Sequence, residues 1–383
     1  PNYEHAVVYV KDASRAVGVC TQLLSNDLRG AFAADIKADY AITRERHLKH
    51  KSDTVRLKLA EARANKFRID WASYTPPVPK QPGVHVLKAY DIAKLAEVID
   101  WTPFFASWEL HGKFPKILDD EVVGTEATKL YHDAQAMLKK MIAENWVEAR
   151  AVFGLFPANT VNDDDIEVYA DESREKVLMT WHNLRQQMKK PEGRANLCIA
   201  DFVAPKASGL KDYLGAFVVT AGIGEDERAR AFEAAHDDYS AILFKSLCDR
   251  LAEAFAEHLH RRVRREFWGY ASEEALINDD LIAEKYQGIR PAPGYPACPE
   301  HSEKAALFDV LDTTARIGVV LTENFAMGPG AAVSGFYLAH PDSQYFAVAK
   351  IERDQVEDYA RRKGWDLKTA ERWLAPNRAY QPE

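Results

Sequence analysis

The densest cluster of unusual residues lies at positions 290–301, which read RPAPGYPACPEH. Four prolines and a glycine in this stretch exclude a helix or a central strand, so we predict a rigid irregular loop. Proline stiffens such a loop before any ligand arrives, which lowers the entropy cost of binding. Arg290 suits a carboxylate and Tyr295 suits stacking or hydrogen bonding, so the loop can hold an amino-acid-like or nucleoside ligand. A purely structural proline loop is the alternative.

Two further residues of this loop, Cys298 and His301, have a spacing found among metal ligands. The sequence offers no second pair to complete a tetrahedral site, so we predict no metal here. The cysteines are Cys20, Cys198, Cys248 and Cys298, too far apart for a Cys-x-x-Cys motif or a disulfide framework.

Three carboxylates, Asp249, Glu253 and Glu257, follow one another at intervals of four residues. On a helix this spacing projects all three from one side. Like charges so placed repel, and taken alone they are typical of a solvated helix face.

The elements that must position these residues give a mixed pattern. Leucine, phenylalanine and valine recur every fourth residue over 238–267, which predicts a long central helix with one apolar stripe. Further helices are predicted over 89–99 and 125–145. Strands are predicted over 151–156, 166–169, 176–181 and 216–220, and a hairpin over 333–338 and 345–351. The fold class expected is α+β, with an antiparallel sheet packed on helices.

The N-terminal segment has a different character. An apolar run at 6–10 followed by a helical pattern predicts one strand and one helix, the unit of a parallel sheet. We therefore predict that residues 1–40 are the truncated end of an α/β doubly wound domain, in agreement with a start at Pro1 rather than Met; a strand joining the main sheet is the alternative. The basic and proline-rich residues 41–83 are predicted to be a linker, and 84–383 the main domain.

Composition narrows the functional classes. The net charge of −8 gives no global attraction to nucleic acid or anionic membranes, and no apolar run has the length of a membrane span. Neither is an expected partner. The sparse, scattered cysteines favour a reducing, cytoplasmic location.

Several segments of the sequence resemble those of a known family. The loop RPAPGYPACPEH resembles the signature of the activation domain of cobalamin-dependent methionine synthases. Further similarity lies, in the same order along the chain, at DWTPFF (100–105), DFVAP (201–205), DRLAEAFAE (249–257) and RDQVEDYA (353–360).

The resemblance implies a site for S-adenosylmethionine. It implies that Arg290 pairs with the ligand's carboxylate and that Asp100 accepts from its ammonium group. Ala292 and Gly294 are then expected beside the adenosyl portion, where glycine permits close approach. The side chains expected to line the adenosyl part of the site are Tyr295, Tyr345 and Phe346. No catalytic residue and no metal ligand is expected.

The resemblance also implies a docking surface. The acidic face of Asp249, Glu253 and Glu257, with Glu284, is expected to lie near the groove and to face the cobalamin-binding domain of the same chain during reactivation. Residues 1–40 resemble the end of that cobalamin-binding domain, which implies that Ala13 lies near the corrin. Cobalamin itself is expected to be bound mainly by residues upstream of this sequence, and zinc only by an absent upstream domain.

The function implied is that of a reactivation module. In the family, the whole enzyme transfers a methyl group from 5-methyltetrahydrofolate to homocysteine, giving methionine. This region is expected to bind S-adenosylmethionine for reductive methylation of cob(II)alamin, with flavodoxin or a related flavoprotein as electron donor. A non-catalytic interaction module that docks the cobalamin domain and flavodoxin is the alternative. A free-standing methyltransferase is disfavoured because no glycine-rich turn follows a first strand.

Overall fold

The computed structural model describes residues 5–11, 13–52 and 55–382, with the side chains of 13, 14 and 47–52 outside the description. The chain divides into two compact units, Pro1–Arg56 and Leu57–Glu383. The division lies inside the segment 41–83 that the sequence predicts to be a linker. The assignment of 1–40, 41–83 and 84–383 to domains stays a prediction.

Helices supply most of the regular structure. In the described residues the α-helices are α1 Ala13–Leu24, α2 Arg29–Ser52, α3 Leu59–Ala64, α4 Ile92–Ala96, α5 Trp101–Ser107, α6 Gly124–Ala143, α7 Glu225–Ala234, α8 Asp238–Arg262, α9 Asn278–Ile282, α10 Glu303–Leu311, α11 Thr313–Ile317, α12 Arg353–Lys363 and α13 Leu367–Trp373. Short 3-10 turns are Lys116–Asp119, Ile199–Phe202 and Lys206–Ser208, and a π-helical turn is Val263–Phe267. Across the described part of the chain, no helix is long and apolar enough to cross a membrane.

The strands form one large sheet and one small one. They are β1 Gly83–Tyr90, β2 Glu148–Val161, β3 Asp165–Tyr169, β4 Val177–His182, β5 Asp212–Ile223, β6 Val320–Leu321, β7 Met327–Gly328 and β8 Ala332–Tyr337. The large sheet has six strands in the order β4-β3-β2-β5-β8, with β1 also paired to β2, and every pairing is antiparallel. The predicted α+β class, with an antiparallel sheet packed on helices, is confirmed.

The first unit differs from the prediction at its start. Residues 6–10 form no strand, and α1 packs against α2. A strand needs a neighbour to pair its backbone groups, and the amide of Tyr9 instead donates to the Tyr40 hydroxyl at 2.7 Å. The origin of this unit in a doubly wound domain stays a prediction.

The large sheet is buried on both faces. Along β2, Ala151, Phe153 and Leu155 belong to the apolar cluster shared with α8, while Val152 and Phe156 belong to the cluster on the other face. Because side chains alternate across a strand, covering both faces requires continuous apolar sequence rather than alternation. The strands are apolar on both sides because both faces of the sheet are covered.

Helix α8 is the central helix that the sequence predicts. Its stripe, which includes Leu247, Leu251 and Phe255, is fully buried. Burial of each such side chain contributes roughly 1.5–3 kcal/mol of hydrophobic stabilisation. The Asp237 carboxylate caps the N-terminus by accepting from the amide of Ser240 at 3.0 Å. The stripe fixes the rotation of α8 and so fixes where its carboxylates point.

The predicted C-terminal hairpin is wrong. Strand β8 forms, but residues 345–350 have no regular structure. Their backbone finds other partners, since the amide of Val348 donates to the carbonyl of Pro296 at 2.8 Å and that of Ile351 to Asn377 at 2.8 Å. Once these amides are satisfied by loops, no strand pairing is required.

Part of the predicted linker is folded into the second unit. Arg63 on α3 makes ion pairs of 2.7 Å with both Asp164 and Asp358. The amides of Lys80 and Gln81 donate to carbonyls at the end of the π-helical turn. Residues 57–83 are thus part of the second compact unit.

The predicted helix over 89–99 is also shorter than expected. Strand β1 runs to Tyr90, and α4 begins only after Asp91, whose carboxylate accepts from the amide of Ala93 at 3.0 Å. An aspartate at this position defines a helix start, because it satisfies an amide that the helix leaves unpaired.

Candidate functional site

Two adjoining cavities form a groove beside α8. They have volumes of about 480 and 220 Å³ and share Glu253, Glu284 and Arg290, so we treat them as one groove with an upper and a lower part. The upper part is lined by Phe217, Glu253, Glu284, Arg290, Pro291, Ala292, Tyr295, Pro296, Ala297, Val333, Tyr345, Phe346 and Ala347. The lower part is lined by Val98, Asp100, Pro103, Arg250, Glu253, Ala254, Glu257, Leu281, Ile282, Glu284 and Arg290.

The proline loop 290–301 forms one wall and is tied to the sheet. The amide of Phe336 on β8 donates to the carbonyl of Pro291 at 2.9 Å. Just before the loop, Ile289 and Leu338 exchange two backbone hydrogen bonds of 3.0 and 3.1 Å. A loop with few amide donors is therefore held at its base by the sheet, and proline restricts the rest.

Gly294 adopts a conformation that other residues rarely adopt. Its φ is +100°, and an added Cβ would lie 2.4 Å from the imidazole of His301. Its amide donates to the carbonyl of Cys298 at 2.7 Å. The residue must be glycine for the loop to turn and for the imidazole to pack against it.

Arg290 stands at the junction of the upper and lower parts. Its Nη1 contacts the Glu257 carboxylate at 2.7 Å, the Tyr286 hydroxyl at 2.7 Å and Nδ1 of His260 at 3.4 Å. Within the described residues, Nε and Nη2 have no protein partner. Burial lowers the pKa of Arg290, but Glu257, Tyr286 and Tyr345 together outweigh burial, so the pKa is raised. The guanidinium is therefore charged. One of its nitrogens, Nη1, is bound to protein groups, and the other two are available to a ligand.

Carboxylates face this guanidinium across the lower part. Asp100 caps α5, its Oδ1 accepting from the amide of Thr102 at 2.9 Å, and still lines the groove. Burial raises the pKa of Glu253 and of Glu284, and the negative charge of Glu257 adds to both effects. Anionic groups that are costly to keep charged are stabilised by a cation placed among them.

Aromatic side chains line the upper part. Tyr295 and Tyr345 are 58% and 39% exposed, and Phe346 lies beside them. The Tyr345 hydroxyl accepts from the backbone amide of Arg290 at 2.9 Å, which ties this segment to the loop. The groove thus has a charged end and an aromatic end.

The structure brings most of the predicted site residues to this groove. Those that line it are Asp100, Arg290, Ala292, Tyr295, Tyr345, Phe346, Glu253 and Glu284. Gly294 is outside its lining and acts on the shape of the loop. Asp249 is exposed, pairs with Arg250 and is also outside the lining. Ala13 begins α1 in the other unit, and its side chain lies outside the described residues.

The sequence did not predict a buried cluster of polar side chains next to Arg290. Besides Glu257 it contains Tyr286, His260 and Tyr337, with the imidazole of His260 stacked 5.0 Å from the Tyr337 ring. Three atoms of this cluster are buried and have no hydrogen-bond partner among the described residues: Glu257 Oε1, His260 Nε2 and the Tyr337 hydroxyl oxygen. The available signal was the position of Glu257, one helical turn beyond Glu253, but the sequence pattern favoured a solvated face.

The described residues contain no group of three or more histidine, cysteine or acidic side chains arranged to hold a metal ion. Cys298 is buried, and burial raises the pKa of its thiol. His301 packs over Gly294 and has Nδ1 3.2 Å from Nζ of Lys304. These contacts give both residues of the pair a structural place in the loop.

Comparison with known proteins identifies a family and a similar solved structure. The family model described as "Vitamin B12 dependent methionine synthase, activation domain" matches residues 91–364. A solved structure described as "Crystal Structure of the MetH Reactivation Domain bound to AdoHcy" is 58% identical in sequence. The match covers 86% of this chain and 100% of that one, with a TM-score of 0.83. The range matched by the family model contains every residue that lines the groove.

Proposed function

Because this chain belongs to the activation-domain family of vitamin B12 dependent methionine synthases, we propose that its groove binds S-adenosylmethionine for reactivation of the enzyme. The similar solved structure is bound to AdoHcy, the demethylated product of this ligand. The observation that carries the proposal is the open half of the Arg290 guanidinium facing three carboxylates at the junction of the groove.

The ligand's amino-acid end has two opposite charges, and the groove offers partners for both. Arg290 Nε and Nη2 are placed to bind the carboxylate as a fork while Nη1 stays on Glu257. Asp100, Glu253 and Glu284 supply negative charge for the ammonium and for the sulfonium. Positive groups of the ligand then neutralise the negative charge that these carboxylates place in the groove.

The adenosyl portion fits the aromatic end. Tyr295, Tyr345 and Phe346 offer ring faces for stacking, and the loop beside Ala292 offers backbone groups close to the ligand. The upper part, at about 480 Å³, lies in the range of small-molecule pockets.

The chain's contribution to methyl transfer is positioning. Cobalamin, when held by its own domain, supplies the cobalt centre that accepts the methyl group. The groove residues hold the donor at both ends, so the sulfonium methyl is restricted in direction. A sulfonium already has a good leaving group, and no general base is assigned to the groove. The enzymes of this family are methyltransferases, and we propose that this region presents the methyl donor, S-adenosylmethionine.

The partners proposed are the cobalamin-binding domain and an electron-donating flavoprotein such as flavodoxin. Glu253 and Glu284 at the groove mouth, with the exposed Asp249 on the same helix as Glu253, form the proposed docking surface for the cobalamin domain. Zinc is assigned to no residue here.

Calorimetry with S-adenosylmethionine tests the binding proposal, and two N-cap aspartates give a matched pair of variants. Asp100→Asn keeps the cap but removes a groove charge, while Asp91→Asn makes the same change at the start of α4, outside the groove. We expect saturable binding that Asp100→Asn weakens by about tenfold and Asp91→Asn leaves unchanged. No saturable binding by the parent chain would favour the non-catalytic interaction module.

A charge reversal separates docking from ligand binding. Asp249→Lys lies outside the groove lining, so in the full enzyme we expect slower reactivation, unchanged steady-state turnover and unchanged S-adenosylmethionine affinity. Glu227→Lys, an exposed change on α7, is the control. Equal reactivation rates in the two variants would make Asp249 an ordinary surface residue.

A further inference from the structure

A second pocket lies where the last turn of α8 meets the end of β1 and helix α4. Its volume is about 400 Å³, and it shares no lining residue with the groove. The lining is Tyr90, Lys94, His258, Arg261, Arg262, Arg265 and Glu266. Four of these seven side chains are cationic and one is a carboxylate, in a chain whose net charge is −8.

Hydrogen bonds inside this pocket fix the direction of its donors. Arg261 Nη2 lies 3.5 Å from Nδ1 of His258, and Arg262 Nη1 lies 3.4 Å from the Tyr90 hydroxyl. A guanidinium can only donate, so Nδ1 must accept, and the proton of the neutral imidazole then sits on Nε2. Nε2 donates to the Tyr90 oxygen at 2.8 Å. That oxygen accepts twice, which leaves the tyrosine's own O–H to donate into the pocket.

The cations of the pocket are poorly neutralised. Arg262 pairs with Glu266 at 2.8 Å, but Lys94, Arg261 and Arg265 have no carboxylate partner among the described residues. Burial lowers the pKa of His258 to about 4, and the charges of Arg261 and Arg262 add to this effect. The imidazole is therefore neutral near pH 7, as the hydrogen-bond directions require.

We propose that this pocket binds a small phosphate-bearing anion. An ionised phosphate only accepts hydrogen bonds, and the free groups here, the Tyr90 hydroxyl, two guanidinium groups and an ammonium, only donate. The Tyr90 ring is stacked on Phe255 with centroids 4.7 Å apart, which holds the hydroxyl in place. A small ligand is favoured over an acidic protein surface because the lining residue His258, which is hydrogen-bonded to Tyr90, is only 9% exposed.

Calorimetry of the full chain with inorganic pyrophosphate and with inorganic phosphate tests this proposal. We expect saturable binding at low ionic strength, tighter for pyrophosphate. Arg261→Gln combined with Arg265→Gln is expected to weaken it by at least about tenfold. Tyr90→Phe removes one donor but keeps the stacked ring, and is expected to cost about fivefold. Arg230→Gln with Arg316→Gln, which removes the same charge elsewhere, is expected to change nothing beyond general screening.

Other outcomes overturn the proposal. These are absence of saturable pyrophosphate binding, equal losses in the pocket and control variants, or a Tyr90→Phe variant that binds as the parent does. Binding of poly-glutamate without binding of pyrophosphate would indicate a protein-docking surface instead. Lys94→Gln, at an exposed position, repeats the test should the double variant fold poorly. S-adenosylmethionine affinity, measured in each variant, is expected to be unchanged, so failure here leaves the groove proposal standing.

Discussion

Arg185 and Arg290 are both arginines paired with carboxylates inside the second unit, yet their surroundings differ. The Arg185 side chain is fully buried, and all five of its N–H groups have partners. Asp164 and Asp201 each accept through both oxygens, since Arg63 supplies the second contact of Asp164 and the amide of Cys198 adds a contact to Asp201. This network is complete within the protein.

In the cluster around Arg290, by contrast, several polar groups lack a hydrogen-bond partner. In the part of the chain that the structure describes, Arg290 is engaged through Nη1 only, and Glu257, His260 and Tyr337 each retain a buried polar atom without a partner. An unsatisfied buried polar group costs roughly 1–3 kcal/mol, so a protein keeps several together only where something offsets the cost. The complete Arg185 network serves the fold, and the incomplete Arg290 cluster supports the proposal that Arg290 binds a ligand.

The largest expected effect is on stability, at Arg185. Arg185→Ala leaves the buried Asp201 without its arginine and Asp164 with Arg63 alone, and we expect a loss of about 3–5 kcal/mol in the free energy of unfolding. Arg290→Ala is expected to cost less than about 2 kcal/mol, because its side chain is 20% exposed and water can reach the site. Urea unfolding of both variants measures the difference. Equal losses would remove the distinction between the two arginines.

The next effect is on affinity, at Arg290. Loss of a charge-assisted contact of roughly 1.5–3 kcal/mol is expected to weaken S-adenosylmethionine binding by about 10- to 100-fold in Arg290→Ala. Arg316→Ala, an exposed arginine outside the groove, is the control for a general change in charge. Equal affinity in Arg290→Ala and in the parent would exclude Arg290 from the ligand site.

The smallest effect is on pH dependence, at Glu253. Burial raises the pKa of its carboxyl, and the nearby charges of Asp249 and Glu257 raise it further, although Arg250 and Arg290 oppose this. A cationic ligand needs the ionised form, so its affinity is full above the raised pKa and falls as the pH drops through it. Titration from about pH 7 to pH 5 spans the region above the ordinary glutamate value. Glu253→Gln is expected to flatten this profile. Asp249→Asn is expected to keep its shape but move it to lower pH, because the Asp249 charge raises the pKa of Glu253. An unchanged profile in Glu253→Gln would assign the titration elsewhere.

Much of the fold could be predicted because strong periodicity has one structural outcome. The stripe through Leu247, Leu251 and Phe255 requires a buried helix, and the prolines of 290–301 exclude regular structure. The strand over 6–10 and the hairpin partner over 345–351 were wrong because an apolar run forms a strand only where a neighbour can pair with it. In both segments other groups satisfy part of the backbone.

The predicted site residues came from resemblance, and its limits follow from burial. Asp100 and Arg290 fall within motifs and Tyr345 lies outside them, and all three line the groove. Helical spacing alone placed Glu257 on a solvated face, because spacing does not show which carboxylate meets a partly buried arginine. That pairing depends on the rotation of α8 against the loop, and on Tyr286 arriving from a different segment.

A crystal structure of this chain with S-adenosylmethionine tests the central claim most directly. We predict density for the ligand in the groove, with its carboxylate on Nε and Nη2 of Arg290 and its ammonium among Asp100, Glu253 and Glu284. Nη1 should remain on Glu257. The adenosyl portion should lie against Tyr295 and Tyr345. Ligand bound at another surface, or bound in the groove with its carboxylate away from Arg290, would contradict the account.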